Sequence, residues 1–118
     1  MRAIITALCI SCLGSVLAAQ QWECRMSTEC LDTESCGESA YEFSLGALED
    51  RFLLSDISGE RAMQEVAVLD EPDQRAFVSM VQNTMVGLVS LYPDGQAHYS
   101  LHSADFSVRY SGTCEVAS

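Results

Sequence analysis

The stretch 92–114, YPDGQAHYSLHSADFSVRYSGTC, decides the fold. In Gln96–His102 the apolar residues Ala97, Tyr99 and Leu101 alternate with Gln96, His98, Ser100 and His102. In the following run Phe106, Val108 and Tyr110 alternate with Ser107, Arg109 and Ser111. Successive side chains of a strand point to opposite faces, so each run offers one apolar and one polar face, and period two excludes a helix here. Ser103-Ala104-Asp105 fits the reversal between the runs. Upstream, Pro93-Asp94-Gly95 is turn chemistry, proline presetting φ and glycine accepting a positive one. A strand over Val86–Tyr92 therefore turns back into Gln96–His102, and three strands form an antiparallel meander.

Working outward, strands are expected near 41–46, 51–56, 63–69 and 76–82. Breaks fall at Gly46–Asp50, Ser58-Gly59-Glu60 and Asp70-Glu71-Pro72-Asp73. Phe77, Met80, Val81, Met85 and Leu88 also fit a helical stripe, with Asp73 as its cap. The β-branched and aromatic content of AFVSMV and MVGLVSLY favours strands. Trp22 beside Cys24 starts a first strand. The sum is an all-β, antiparallel meander of about eight strands, a small barrel or a sandwich, stapled by disulfides.

The first nineteen residues, MRAIITALCISCLGSVLAA, have the form of a secretory signal. Arg2 precedes a mainly apolar stretch to Leu17, and Val16-Leu17-Ala18-Ala19 offers small residues for cleavage after Ala18 or Ala19. The expectation is a signal at 1–19 and one domain at 20–118, periplasmic or secreted. No later stretch is apolar enough to span a bilayer as a helix. Four cysteines remain after residue 19, and an oxidising compartment makes two disulfides of them. Four cysteines allow three pairings. The inward parity of Phe106, Val108 and Tyr110 carries on through Gly112 to Cys114, which favours a Cys24–Cys114 bridge between first and last strands. Cys30 and Cys36 then form a local staple.

The segment 23–42 holds three of those cysteines and the acids Glu23, Glu29, Asp32, Glu34, Glu38 and Glu42, against Arg25 alone. It repeats itself loosely, STEC at 27–30 and TESC at 33–36, and reads as a polar, disulfide-pinned loop region. Beyond residue 19 the chain has five arginines, no lysine and seventeen acids, a formal charge of about −12. Such a surface repels nucleic acid and anionic lipid and attracts a cationic protein.

No catalytic, cofactor or metal site is expected. His98 and His102 lie four apart, but on a strand that spacing is about 13 Å, too far to share one ion. Cys24-x5-Cys30-x5-Cys36 contains no CxxC pair, which excludes zinc-ribbon and thioredoxin-like readings. Neither the carboxylate cluster nor Asp70-Glu71-x-Asp73 has EF-hand spacing. There is no GxSxG elbow, phosphate-binding glycine loop or HExxH helix.

RYSGTCE, FVSM at 77–80 and PDGQAHYSLH at 93–102 resemble small secreted proteins of alphaproteobacteria, over about the C-terminal half. That resemblance implies compartment and fold and brings no activity with it. A looser, architectural resemblance is to periplasmic inhibitors of C-type lysozyme, also short, exported, disulfide-containing β-barrels. Ser58-Gly59 and Ser111-Gly112 stand outside the context of those inhibitors' motifs, so no site residue is carried over. The expected function is a non-enzymatic binding module, acidic and suited to a cationic protein partner. The alternatives are an inhibitor of a basic, lysozyme-type hydrolase, a small hydrolase using His98 or His102, and a barrel holding a ligand among Tyr99, Leu101, Phe106 and Val108.

Overall fold

A computed structural model describes residues 20–79 and 85–117. The expected signal, and the end of the strand expected at 76–82, lie outside these residues. Eight antiparallel strands follow one another as a meander: β1 (Gln21–Leu31), β2 (Cys36–Leu48), β3 (Arg51–Asp56), β4 (Gly59–Val66), β5 (Arg75–Ser79), β6 (Val86–Leu91), β7 (Gln96–His102) and β8 (Ser107–Val116). Each pairs with its successor, and β1 also pairs with β8, so the sheet closes into a barrel. The expected meander is present, and of barrel and sandwich it is the barrel. Among the described residues, closure leaves no sheet edge open to a further strand.

The three-strand meander is as expected. Tyr92-Pro93-Asp94-Gly95 closes with Gly95 N–H donating to the Tyr92 carbonyl at 3.0 Å, and Gly95 takes a φ of 94°. Asp94 Oδ1 accepts from the Gln96 amide at 3.0 Å. The helical alternative fails over the described residues: Phe77 and Val78 pair with Val89 and Leu88 in a ladder.

Four expectations are corrected. The segment 23–42 is not a loop region but most of the longest hairpin of the barrel, with only residues 32–35 outside β1 and β2. Its period is real: Trp22, Cys24 and Met26 are buried while Gln21, Glu23 and Arg25 are exposed. The strand expected at 63–69 begins at Gly59 instead, because Gly59, at a φ of 135°, pairs directly with Asp56 across a two-residue turn. Gly46 belongs to β2, and the following turn is Glu49-Asp50, with Glu49 at a φ of 57°. Phe106 does not point inward: it precedes β8 in the reversal and is 42% exposed.

Both expected disulfides are formed, Cys24–Cys114 and Cys30–Cys36. Cys24 and Cys114 are direct partners in the β1–β8 ladder, so this bridge crosses the seam that closes the barrel. Cys30 and Cys36 are direct partners in the β1–β2 ladder and pin the tip of that hairpin. The β1 register shifts between Met26 and Thr28, a bulge at Ser27. An extra residue reverses the facing of all that follows. Glu29, opposite Tyr110, therefore faces inward, and Cys30, opposite Arg109, faces out.

The interior is filled by side chains, as an eight-strand barrel allows. Tyr99, Phe77, Met26, Leu45, Leu54, Met63 and Val89 are among its fully buried members. The outer surface is divided by charge. Glu23, Arg25, Glu38, Glu42, Arg109 and Glu115 lie on the outer face of β8, β1 and β2, whereas the outward residues of β5 and β6 are Ala76, Val78, Val86, Leu88 and Ser90.

Candidate functional site

The two ends of the barrel are built differently. At the end carrying the β1–β2, β3–β4 and β7–β8 turns, three tyrosines fill the interior. The Tyr41 and Tyr110 rings stack with centroids 4.7 Å apart, and Tyr99 stacks beside both at 6.1 and 6.2 Å. Tyr41 donates its hydroxyl proton to Asp56, and Arg61 donates to the Tyr99 hydroxyl. Asp56 also accepts from the Ser58 amide at 2.8 Å and the Ser58 hydroxyl at 2.7 Å. Burial works to raise the Asp56 pKa, but the hydrogen bonds from Tyr41 and Ser58 outweigh it and hold the carboxyl below its usual range. Burial first, and then the bond to Asp56, push the Tyr41 phenol far above its ordinary value. Burial also raises Tyr99 and Tyr110. Among the described residues no buried side-chain polar atom lacks a partner. This end is a satisfied polar plug.

The opposite end carries the β2–β3 and β6–β7 turns and the eight-residue connection 67–74. Arg75, inward at the start of β5, lies over the Trp22 ring with its guanidinium carbon 4.8 Å from the centroid. It also lies 5.9 Å from the Phe52 and 5.6 Å from the Phe77 centroid. Glu65, on the adjacent strand, receives two parallel bonds from Arg75 at 2.8 Å, the geometry that best matches guanidinium to carboxylate. The bond from Arg75 Nη1 to Gln20 Oε1 is 2.6 Å. The hydrogen bonds from Arg75 hold the Glu65 carboxyl below its usual range against the opposing effect of burial, and Glu65 raises Arg75. The arginine's charge is thus paired with Glu65, and three of its five N–H donors are engaged.

Above this lid a cleft of about 280 Å³ is open to solvent. Trp22, Leu91, Tyr92 and Pro93 supply apolar wall, and Asp73, Gln96 and Gln20 supply polar groups beside Arg75. A second cleft, of about 380 Å³, shares Tyr92, Pro93 and Gln96 with the first and adds Asp94 and His98. Tyr92 therefore borders both hollows, one of which also holds Asp73 and the other Asp94. His98 meets the Tyr92 ring edge-on, centroids 5.5 Å apart. Asp70, Glu71 and Asp73 are all exposed in the bordering connection, and Leu69 there is 84% exposed.

The residues singled out in the sequence fall mostly elsewhere. His98 and His102 are exposed on the outer face of β7. Glu23, Glu38 and Glu42 are exposed on the outer face of the hairpin, and Asp32 and Glu34 lie in its turn. Tyr99, Leu101 and Val108 are buried in the core. Among the described residues no three His, Cys, Asp or Glu side chains come together as metal ligands do. Sequence reasoning missed the Arg75 lid and the Arg61 network. Their signal was the same period two: Arg61, Met63 and Glu65 share one face of β4, and Arg75 and Phe77 one face of β5, so two arginines sit on the inward side of apolar strands.

Compared with protein-family models, with curated proteins and with solved structures, the chain matches none of them.

Proposed function

We propose that this chain is an exported, periplasmic or secreted, non-enzymatic binding module whose partner is a cationic protein. The observation that carries this reading is uncompensated acid on a disulfide-braced barrel. Seventeen acids face five arginines beyond residue 19, and Arg25 and Arg75 are already committed to Glu42 and Glu65. Glu23 and Glu115 are direct cross-strand partners on the outer face, a like-charge pairing that disfavours the isolated fold and that a bound cation relieves. The two disulfides suit an oxidising compartment. Charge of one sign speeds encounter with an opposite partner more than it tightens the complex, and salt suppresses it.

Association of the processed chain with basic and acidic proteins of similar size, followed by biolayer interferometry from low to physiological salt, tests the reading. Selective binding of basic proteins, with an association rate falling at least tenfold as salt rises, is expected. Equal binding of acidic and basic proteins, or a rate indifferent to salt, refutes it. A lysozyme in the basic set, assayed for residual activity, tests the inhibitor alternative.

A further inference from the structure

Strands β5 and β6 carry apolar residues on both of their faces. In β6, Val89 and Leu91 point into the barrel while Val86 and Leu88 point out, 37% and 41% exposed. In β5, Phe77 is buried and Val78 lies outward, directly opposite Leu88. By contrast, Trp22 to Met26 of β1 and all of β7 alternate apolar and polar residues, as strands with one solvated face do. An apolar run bounded by turns is the pattern of a strand covered on both sides. Here the outer side is exposed in the single chain.

The patch is continuous and uncharged. Val66 pairs with Ala76, Val78 with Leu88 and Val86 with His102, so these side chains are neighbours on the outer face. Ala76 to Pro93 is a run of eighteen residues without Asp, Glu, Lys, Arg or His. The ladder row Gln64–Val78–Leu88–Ser100 crosses four strands with no charged group. In the closed strand order β5 and β6 lie across the barrel from β1 and β2, whose outer face bears Glu23, Glu38 and Glu42. Other exposed acids, Glu49, Asp50, Glu71 and Asp105 among them, lie in the connections at the two ends.

We propose that the outer face of β5 and β6 is the contact of a transient homodimer, with Val78, Val86 and Leu88 of one copy packed on the same face of the other. A two-fold contact requires a surface complementary to itself. An uncharged apolar face meets that condition, whereas an acidic face repels its copy. Contact here lets two chains of about −12 formal charge meet with their carboxylates turned away from the interface. A cationic protein gains nothing at a face without carboxylates, and anionic lipid is repelled by the molecule as a whole. Strands about 18 Å long and about 4.8 Å apart give β4–β7 roughly 350 Å² of face on each copy. Two copies then bury about 700 Å², below the ~1,200 Å² of lasting complexes, so the dimer forms and parts readily. Each dimer leaves two acidic faces open.

Sedimentation equilibrium of the processed chain at concentrations up to about 1 mM, at low and at high salt, suits a contact this small. A monomer–dimer equilibrium is expected, with a dissociation constant several-fold lower at high salt, because screening relieves like-charge repulsion. Salt acts in the opposite sense on the binding of basic proteins, so the two interactions are told apart by one salt series. Leu88→Glu and Val86→Glu, both at exposed positions, each weaken the dimer at least tenfold, since a carboxylate is then buried against its copy. Leu88→Gln, which adds no charge, weakens it less. Glu38→Gln, on the far side of the barrel, does not weaken it. Circular dichroism and Trp22 emission establish that each variant is folded. A single species of monomer mass at the highest concentration and salt overturns the inference. So does a dimer that salt weakens, or one that both glutamate variants leave unchanged, and in each case the cationic-partner reading stands.

Discussion

At the scale of single residues the tightest constraint is Gly112. It faces inward on β8 opposite Met26, just before the Ser27 bulge. A Cβ at this position meets the Arg25 carbonyl oxygen at 2.0 Å and Met26 Cα at 2.6 Å. Both obstacles are backbone, so no side-chain rotation relieves them. Gly112→Ala is therefore expected to cost about 3 kcal/mol, the upper end for overpacking, seen as a lower urea midpoint. Glycine here allows close approach of strands, not a turn. The titratable residues set a second expectation. Asp56 and Glu65 have folded pKa values below their unfolded ones, so their stabilisation is present above the unfolded value, about 4, and is lost as pH falls through the folded value. Tyr41, Tyr99 and Tyr110 are shifted the other way. Their stabilisation is full below the unfolded pKa of about 10 and is lost as pH rises beyond it. Urea midpoints measured across pH should stay flat between these limits and fall on both sides. Asp56→Asn should flatten the acid limb, and Tyr41→Phe the alkaline one.

At the scale of elements, the β1–β2 hairpin shows what a sequence pattern can and cannot carry. Trp22 to Met26 alternate cleanly, yet density of acid and cysteine made the segment read as loop. The bulge then interrupts the period, so parity counted from Cys24 sends Cys30 inward, whereas the ladder places it outward beside Arg109. The bulge is a backbone event beside the close approach of β1 to Gly112, and no residue type at Ser27 announces it. Strands β6, β7 and β8 were legible because their turns use proline, glycine and short polar residues whose conformational preferences are strong. The Arg75 cleft was not, since it joins β1, the 67–74 connection, β6 and the β6–β7 turn, which meet only once the barrel closes. Arginine on the inward side of a strand was the readable half of that site. The Cys30–Cys36 bridge, with its separation of 6 residues, restrains little of the unfolded chain. Replacing both with serine is expected to cost about 2–2.5 kcal/mol by loop-closure entropy. Hydrogen exchange should then rise mainly at the hairpin tip.

At the scale of the whole molecule, the barrel depends on one pairing that neighbours in sequence cannot make. Seven of the ladders join successive strands, whereas β1–β8 joins the two ends of the domain and converts an open meander into a closed barrel. Cys24–Cys114, with a separation of 90 residues, sits within that seam and belongs to the core cluster. Closing a loop of that length in the unfolded chain is worth roughly 4–5 kcal/mol, about twice the hairpin staple, because the entropy removed grows with loop length. The same seam bears Glu23 facing Glu115, so charge repulsion works against it where the covalent link works for it. The seam also shapes the cleft beside Arg75: Trp22 comes from β1, and Cys114 and Val116 of β8 line the same cleft. Opening the seam therefore loosens the cleft before it unravels the β3–β7 ladders. A Cys24→Ser/Cys114→Ser double variant is expected to lose most of that 4–5 kcal/mol by urea unfolding at neutral pH. Its Trp22 emission should move to longer wavelength at urea concentrations where circular dichroism still reports most of the sheet. Coincident loss of both signals shows instead that closure and sheet are one cooperative unit.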